Sequence, residues 1–186
     1  MVEKKGAMRY IVVDLECTCW NSGDKNRQSH ETIEIGAALL DENYVFIKAF
    51  SQFVKPADNP KLTEFCIDLT TITQGDIDSA PSLSSAIARL EEWMGPSVDI
   101  TLCSWGYFDK EQLLTECSNC GIDYPFTDDH INVKQRFISK LGCSRRMGLK
   151  KALRYLGIRF EGTPHRGVDD AIMIARVFKK IMELPE

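Results

Sequence analysis

Asp14 and Glu16 stand two residues apart at the end of Arg9-Tyr10-Ile11-Val12-Val13-Asp14-Leu15-Glu16-Cys17-Thr18, a run that reads as a buried β-strand. Residues i and i+2 of a strand project from one face, so this spacing directs both carboxylates into one small volume. Two acids placed there repel each other and lose hydration, which an ordinary core strand avoids unless a cation neutralises them. A divalent metal is the simplest neutraliser, and the pair therefore points to a metal site. The competing reading ends the strand earlier and leaves both acids in a solvated turn.

Two further segments supply acids and a base. Pro164-His165-Arg166-Gly167-Val168-Asp169-Asp170 leads into a terminal amphipathic helix whose Ile174, Val177, Phe178 and Ile181 follow the i, i+3, i+4, i+7 spacing of a core-facing stripe. Asp170 lies four residues before Ile174 and extends the buried stripe by one turn, whereas Asp169 is rotated about 100° away. An N-terminal carboxylate favoured by the helix dipole accounts for Asp169 but not for an acid on the core face. In the middle of the chain, Asp99-Ile100-Thr101-Leu102-Cys103-Ser104 reads as a short strand, Trp105-Gly106-Tyr107-Phe108 as its exit loop and Asp109 as the start of a helix. Taken alone, Asp109 reads as an N-cap.

The ordered set resembles the DEDDh class of 3′-to-5′ exonucleases: Asp14-x-Glu16, then Asp109 after a strand and loop, then His165 followed five residues later by Asp170. His30-Glu31-Thr32-Ile33-Glu34-Ile35-Gly36 and Leu62-Thr63-Glu64-Phe65-Cys66-Ile67-Asp68-Leu69-Thr70-Thr71-Ile72-Thr73-Gln74 are similar to its Eri-type and KapD-type branch, and the likeness runs from about Arg9 to Leu184. Thr71 stands where such proteins often carry glycine, and Tyr107-Phe108 replaces a Ser-Trp-like pair before the acid. The resemblance implies an RNase H-like fold and two Mg²⁺ or Mn²⁺ ions held by Asp14, Glu16, Asp109 and Asp170, with His165 as general base toward the attacking water. It also implies that a 3′-terminal nucleotide lies along Glu16-Cys17-Thr18 with its base near Phe65 and Phe108. Phe65 reads equally well as a core aromatic of a short helix.

The elements that must position these groups follow from patterning. Thr32 to Leu40, a turn at Asp41-Glu42-Asn43, and Val45 to Phe50 continue the first strand into an antiparallel meander. Leu83, Ile87, Leu90 and Met94 share one face of a helix from about Ser82 to Gly95-Pro96, and Leu149, Ala152, Leu153 and Leu156 form another stripe closed by Gly157. Strands first, then alternating helix and strand, predict an α/β fold: a mixed sheet, antiparallel then parallel, flanked by helices. At 186 residues and 44% hydrophobic, the chain fits a tail over residues 1–8 and a single domain over 9–186. No stretch approaches the roughly 20 apolar residues of a membrane span.

Net charge is −4, yet residues 131–160 hold nine of the 23 basic residues and no acid. Most charged runs are solvated helix faces, but those mix signs; this one favours phosphate-backbone contact, with Arg145, Arg146 and Lys150 as candidates. Seven cysteines at irregular spacing, with no secretory signal, indicate reduced thiols and a cytoplasmic location. Cys117-Ser118-Asn119-Cys120 lacks the second pair of a zinc site and reads as two thiols in a helix's last turn. The function expected is a metal-dependent 3′-to-5′ exonuclease acting on single-stranded nucleic acid, RNA favoured over DNA, and no membrane. The alternatives are a proofreading or repair-type DNA exonuclease and an inactive nucleic-acid-binding relic.

Overall fold

The structure, a computed structural model, describes residues 8–24, 28–95, 99–143 and 147–185. β1 (Arg9–Cys17), β2 (Thr32–Leu40) and β3 (Phe46–Phe53) form the antiparallel meander. The turn between β2 and β3 is held by the Asp41 carboxylate, which accepts from the Asn43 and Val45 amides at 2.8 Å each. β3 extends three residues beyond the patterned run because Ser51, Gln52 and Phe53 continue the ladder opposite Gly36, Ile35 and Glu34. β4 (Ile100–Ser104) lies parallel to β1 on its other side, and β5 (His130–Asn132) parallel to β4, giving the order β3-β2-β1-β4-β5. The expected mixed sheet is therefore present.

Helices cover both faces: α1 (Glu64–Thr70), α2 (Gln74–Asp78), α3 (Leu83–Met94), α4 (Phe108–Cys120), α5 (Val133–Leu141), α6 (Leu149–Tyr155) and α7 (Gly167–Met182). Ser82 caps α3, its hydroxyl accepting from the Ser85 amide, and Gly95 stops it at φ 70°. The α3 stripe packs with Leu113 and Cys117 of α4 on Ile11, Val13 and Leu15 of β1. The α7 stripe packs with α5 and α6 on Val12, Ala38 and Leu40. Each large apolar side chain so buried contributes about 1.5–3 kcal/mol. Strand parity now assigns the acids. Asp14 and Glu16 share the face of Val12, so the sheet presents them on the side that α7 covers.

Two local details explain sequence features. Thr71, where the resemblance leads one to expect glycine, closes α1 at φ 61°, the left-handed conformation that glycine adopts without a Cβ penalty. Cys117 and Cys120 do end α4, one buried and one exposed, with Gly121 as the cap. No helix among the described residues is long and apolar enough to cross a membrane. Residues 1–7 of the expected tail, together with Arg145 and Arg146, lie outside the described residues.

Candidate active site

The end of β1, the start of α4 and the loop before α7 meet around a cleft of about 380 Å³ lined by Asp14, Glu16, Asp109, His165 and Asp170, with Phe108 and Lys134 beside them. Close backbone approach makes this possible. A Cβ on Gly36 would fall 1.9 Å from the Gly167 carbonyl carbon, and one on Gly167 would fall 2.9 Å from the Asp14 carbonyl oxygen. Only glycines let the N-terminus of α7 rest directly on β1 and β2, and that contact carries Asp170 to the strand acids.

Asp109 is not an N-cap. Tyr107 holds that position without a side-chain bond, and the buried Asp109 carboxylate accepts the Leu15 amide of β1 at 3.0 Å. The acid therefore ties α4 to the strand that carries Asp14 and Glu16. His165 sits in an exposed loop at φ 62°. Its amide donates to Asp170 Oδ2 at 2.7 Å, while the Thr163 amide donates to Asp169 Oδ2 at 2.8 Å. The two adjacent acids thus divide their work, Asp169 folding the loop and Asp170 holding His165 while facing the cleft.

Electrostatics in the cleft are adverse to anions. Burial, then repulsion from Asp109, Asp170 and Glu16, raises the Asp14 carboxyl well above the usual carboxylate range. Burial, then Asp170 and Glu34, pushes Glu16 up to about 8. Burial lifts Asp109 to about 6 against the opposing Leu15 bond, and burial also raises Asp170. Ligand atoms of Glu16, His165 and Asp170 lie within 4.8 Å of one another. Desolvated, mutually repelling carboxylates grouped this closely are stabilised by a bound dication, and hard oxygen donors suit Mg²⁺ or Mn²⁺. The residues present fit such a group.

The sequence profile of the exonuclease family, RNase_T, matches residues 11–178. The chain belongs to this exonuclease family. It is 31% identical over 181 residues to rat 3′-5′ exoribonuclease 1, covering 92% of this chain and 52% of the rat protein. It is 32% identical over 184 residues to human ERI1 exoribonuclease 3, covering 92% and 53%. The chain thus spans about half the length of these relatives. Among solved structures, the nuclease domain of 3′hExo, a DEDDh family member bound to rAMP, superposes with a TM-score of 0.86 at 29% identity, covering 95% of this chain and 92% of that one. A 3′-exonuclease described as recognising the histone mRNA stem-loop at its 3′ end also gives 0.86, at 28% identity, covering 95% and 82%.

Within this exonuclease fold the expected substrate contacts separate. Phe108 is half exposed at the cleft, its ring edge-on to His30 with centroids 6.1 Å apart. Phe65 is partly buried and belongs neither to the cleft lining nor to a core cluster. Cys17 and Thr18 are buried, and the fold uses their polar groups: Thr18 pairs with Glu31 and His30, and the Cys17 carbonyl accepts from the Cys66 thiol. Lys150 is exposed one residue beyond Leu149, which lines the cleft. Lys134, in the basic segment but not singled out by its spacing, reaches the cleft from the first turn of α5, its Nζ 3.8 Å from where a Gly106 Cβ would stand. Glu34 and Arg166 were also passed over. An acid inside the otherwise apolar β2 was the signal that could have found the first.

Proposed function

We propose that this chain is a divalent-metal-dependent 3′-to-5′ exonuclease releasing nucleoside 5′-monophosphates from single-stranded 3′ ends, with RNA preferred over DNA. The observation that carries the proposal is the convergence of four desolvated carboxylates and His165 at one cleft. The exoribonuclease names of the relatives and the rAMP in the 3′hExo domain support RNA.

Asp14, Glu16, Asp109 and Asp170 would hold two Mg²⁺ or Mn²⁺ ions. When bound, they neutralise the acids and the charge that develops on the phosphate oxygens. His165 takes the proton of the attacking water, an exchange imidazole performs near neutral pH. Water oxygen bonds to phosphorus, the bond from phosphorus to the 3′-oxygen of the penultimate nucleotide breaks, and that oxygen takes a proton from solvent to become the new 3′-hydroxyl. Phe108 offers a stacking face for the terminal base, which is sequence-tolerant. Cys17, Thr18 and Phe65 stand outside the cleft lining and are proposed only to back the terminal nucleotide from behind that face. Lys134 and Lys150, with Arg145 and Arg146, take the phosphate backbone. We place the activity in one domain over residues 9–186 and in the cytoplasm, consistent with seven free thiols.

Incubation of the protein with 5′-labelled single-stranded RNA and matched DNA, in Mg²⁺, Mn²⁺ or EDTA and beside His165→Ala, tests this. A metal-dependent ladder shortening from the 3′ end, faster on RNA and lost in the variant, is expected. Faster loss of DNA would move the assignment to the DNA reading, and no cleavage of either would sink the enzymatic one.

A further inference from the structure

Glu34 is the buried acid that the chemistry above leaves unused. It is fully buried in β2, directly opposite Glu16. A lone carboxylate there would be strongly destabilising, and both of its oxygens are engaged. Oε1 accepts from Ser51 Oγ at 2.8 Å and from Arg166 Nη2 at 3.4 Å. Oε2 accepts from Arg166 Nε and from the Gly167 amide, each at 3.1 Å. Three of these four bonds cross more than 130 residues of chain and end on the two residues that follow His165. The guanidinium also lies over the Phe53 ring, 5.0 Å from its centroid.

His165 itself sits at φ 62°, a conformation that a residue with a Cβ keeps only when its surroundings impose it. Residues 161–164 before it are exposed. What fixes its backbone is therefore the Asp170 carboxylate on its own amide and Glu34 on the residues after it. We infer that the Glu34–Arg166 pair is a positioning device for His165, holding the imidazole at Glu16 and Asp170 without touching substrate or metal. A carboxylate that accepts from both a forked guanidinium and a backbone N–H fixes orientation as well as charge, which a lysine in place of Arg166 would not. The pairing gives Glu34 a counter-charge, although Glu34 still repels the Glu16 carboxylate opposite it.

The inference rests on His165 as the general base, and its test separates the two. Arg166→Gln, Arg166→Lys and His165→Ala would be compared by single-turnover cleavage of labelled RNA, KM, Mn²⁺ half-saturation and thermal melting. Hydrogen exchange at the His165 and Gly167 amides of the metal-free protein would be followed in parallel. Arg166→Gln is expected to lower kcat about 10–100-fold, the scale of a misplaced catalytic group. KM and Mn²⁺ half-saturation should stay within about twofold, and the same change in the His165→Ala background should cost less than about twofold. Arg166→Lys, which leaves Glu34 its counter-charge and so protects folding, should still speed exchange at His165 and fail to restore kcat. An Arg166→Gln effect that is as large without His165, a Mn²⁺ half-saturation raised tenfold, or unchanged exchange in Arg166→Lys would each overturn the device. A His165→Ala variant as fast as wild type would overturn the general base instead, and the exchange arm reads the clamp without any activity.

Discussion

Glu16→Gln measures how strongly the cleft opposes folding when no cation is bound. Burial, then repulsion from Asp170 and Glu34, moves the Glu16 carboxyl from 4.5 to about 8. Because the folded value lies above the unfolded one, the folded state loses nothing below about pH 4.5, where both states keep the proton. Stability then falls as pH rises toward 8. At 1.36 kcal/mol for each tenfold change, the full displacement corresponds to about 5 kcal/mol at pH 8. That is an upper limit, since Glu16 keeps some solvent contact and salt screens part of the repulsion. Glutamine also leaves a polar amide in the same desolvated place, so the variant should recover about 1–2 kcal/mol. For a chain of this size that raises the melting temperature by about 2–8 °C. Thermal unfolding in EDTA from pH 5 to 8.5 would show the variant melting higher at pH 8 and the gap nearly closing at pH 5. Added Mn²⁺ should stabilise the wild type more than the variant. A variant melting at or below wild type at pH 8, or an equal gap at both pH values, would refute the account of a repulsive, metal-seeking cleft.

Other positions test the scaffold and the path of the strand. Gly36→Ala places a Cβ 1.9 Å from the Gly167 carbonyl carbon, backbone against backbone, and should cost about 3 kcal/mol or more in urea unfolding together with activity; a loss under 1 kcal/mol would contradict the close approach. Thr71→Gly relieves a left-handed, exposed threonine and should add about 0.5–1 kcal/mol of stability, whereas a loss would mean that the cap is unstrained. Lys134→Ala and Lys150→Ala, each measured for RNA binding in the His165→Ala background, should lower the slope of log Kd against log salt by about 0.7 for each phosphate contact removed. An unchanged slope for either lysine would take it off the backbone path.

Legibility in the sequence followed the range of the signal. Period-two spacing placed Asp14 and Glu16 on one strand face, and period-3.6 spacing placed Asp170 on the buried side of α7; both patterns are local and both survive in the structure. Asp109 was ambiguous for a physical reason, since an N-cap and a first-turn ligand put the same acid at the same end of a helix. Only its bond to Leu15, 94 residues away, separates them. Thr71 stood out in the sequence only as a departure from the family pattern, and its meaning, a left-handed cap, needed the backbone angle. β5 and α2 were too short, at three and five residues, for any period to register. Glu34 showed only as an acid in an otherwise apolar strand and Arg166 by no pattern, because their partnership forms only when β2 and α7 meet at Gly36 and Gly167.

Charge balance explains why the cleft carries one lysine as well as four acids. On the proposed reading, two divalent ions cancel the charges of Asp14, Glu16, Asp109 and Asp170, which leaves the phosphodiester's negative charge without a counter-charge in a partly desolvated site. His165 cannot supply it, since a base must be neutral to accept a proton. Lys134 lines the same cleft, and among the described residues no carboxylate lies within ion-pairing distance of it. Arg166, among the described residues, is a further cation close to the site, but it is paired with Glu34. The two cations therefore have separate tasks. Loss of Lys134 should weaken substrate binding and its salt dependence while sparing the single-turnover rate at saturation, and loss of Arg166 should do the reverse. Lys134→Ala acting chiefly on kcat would break this division.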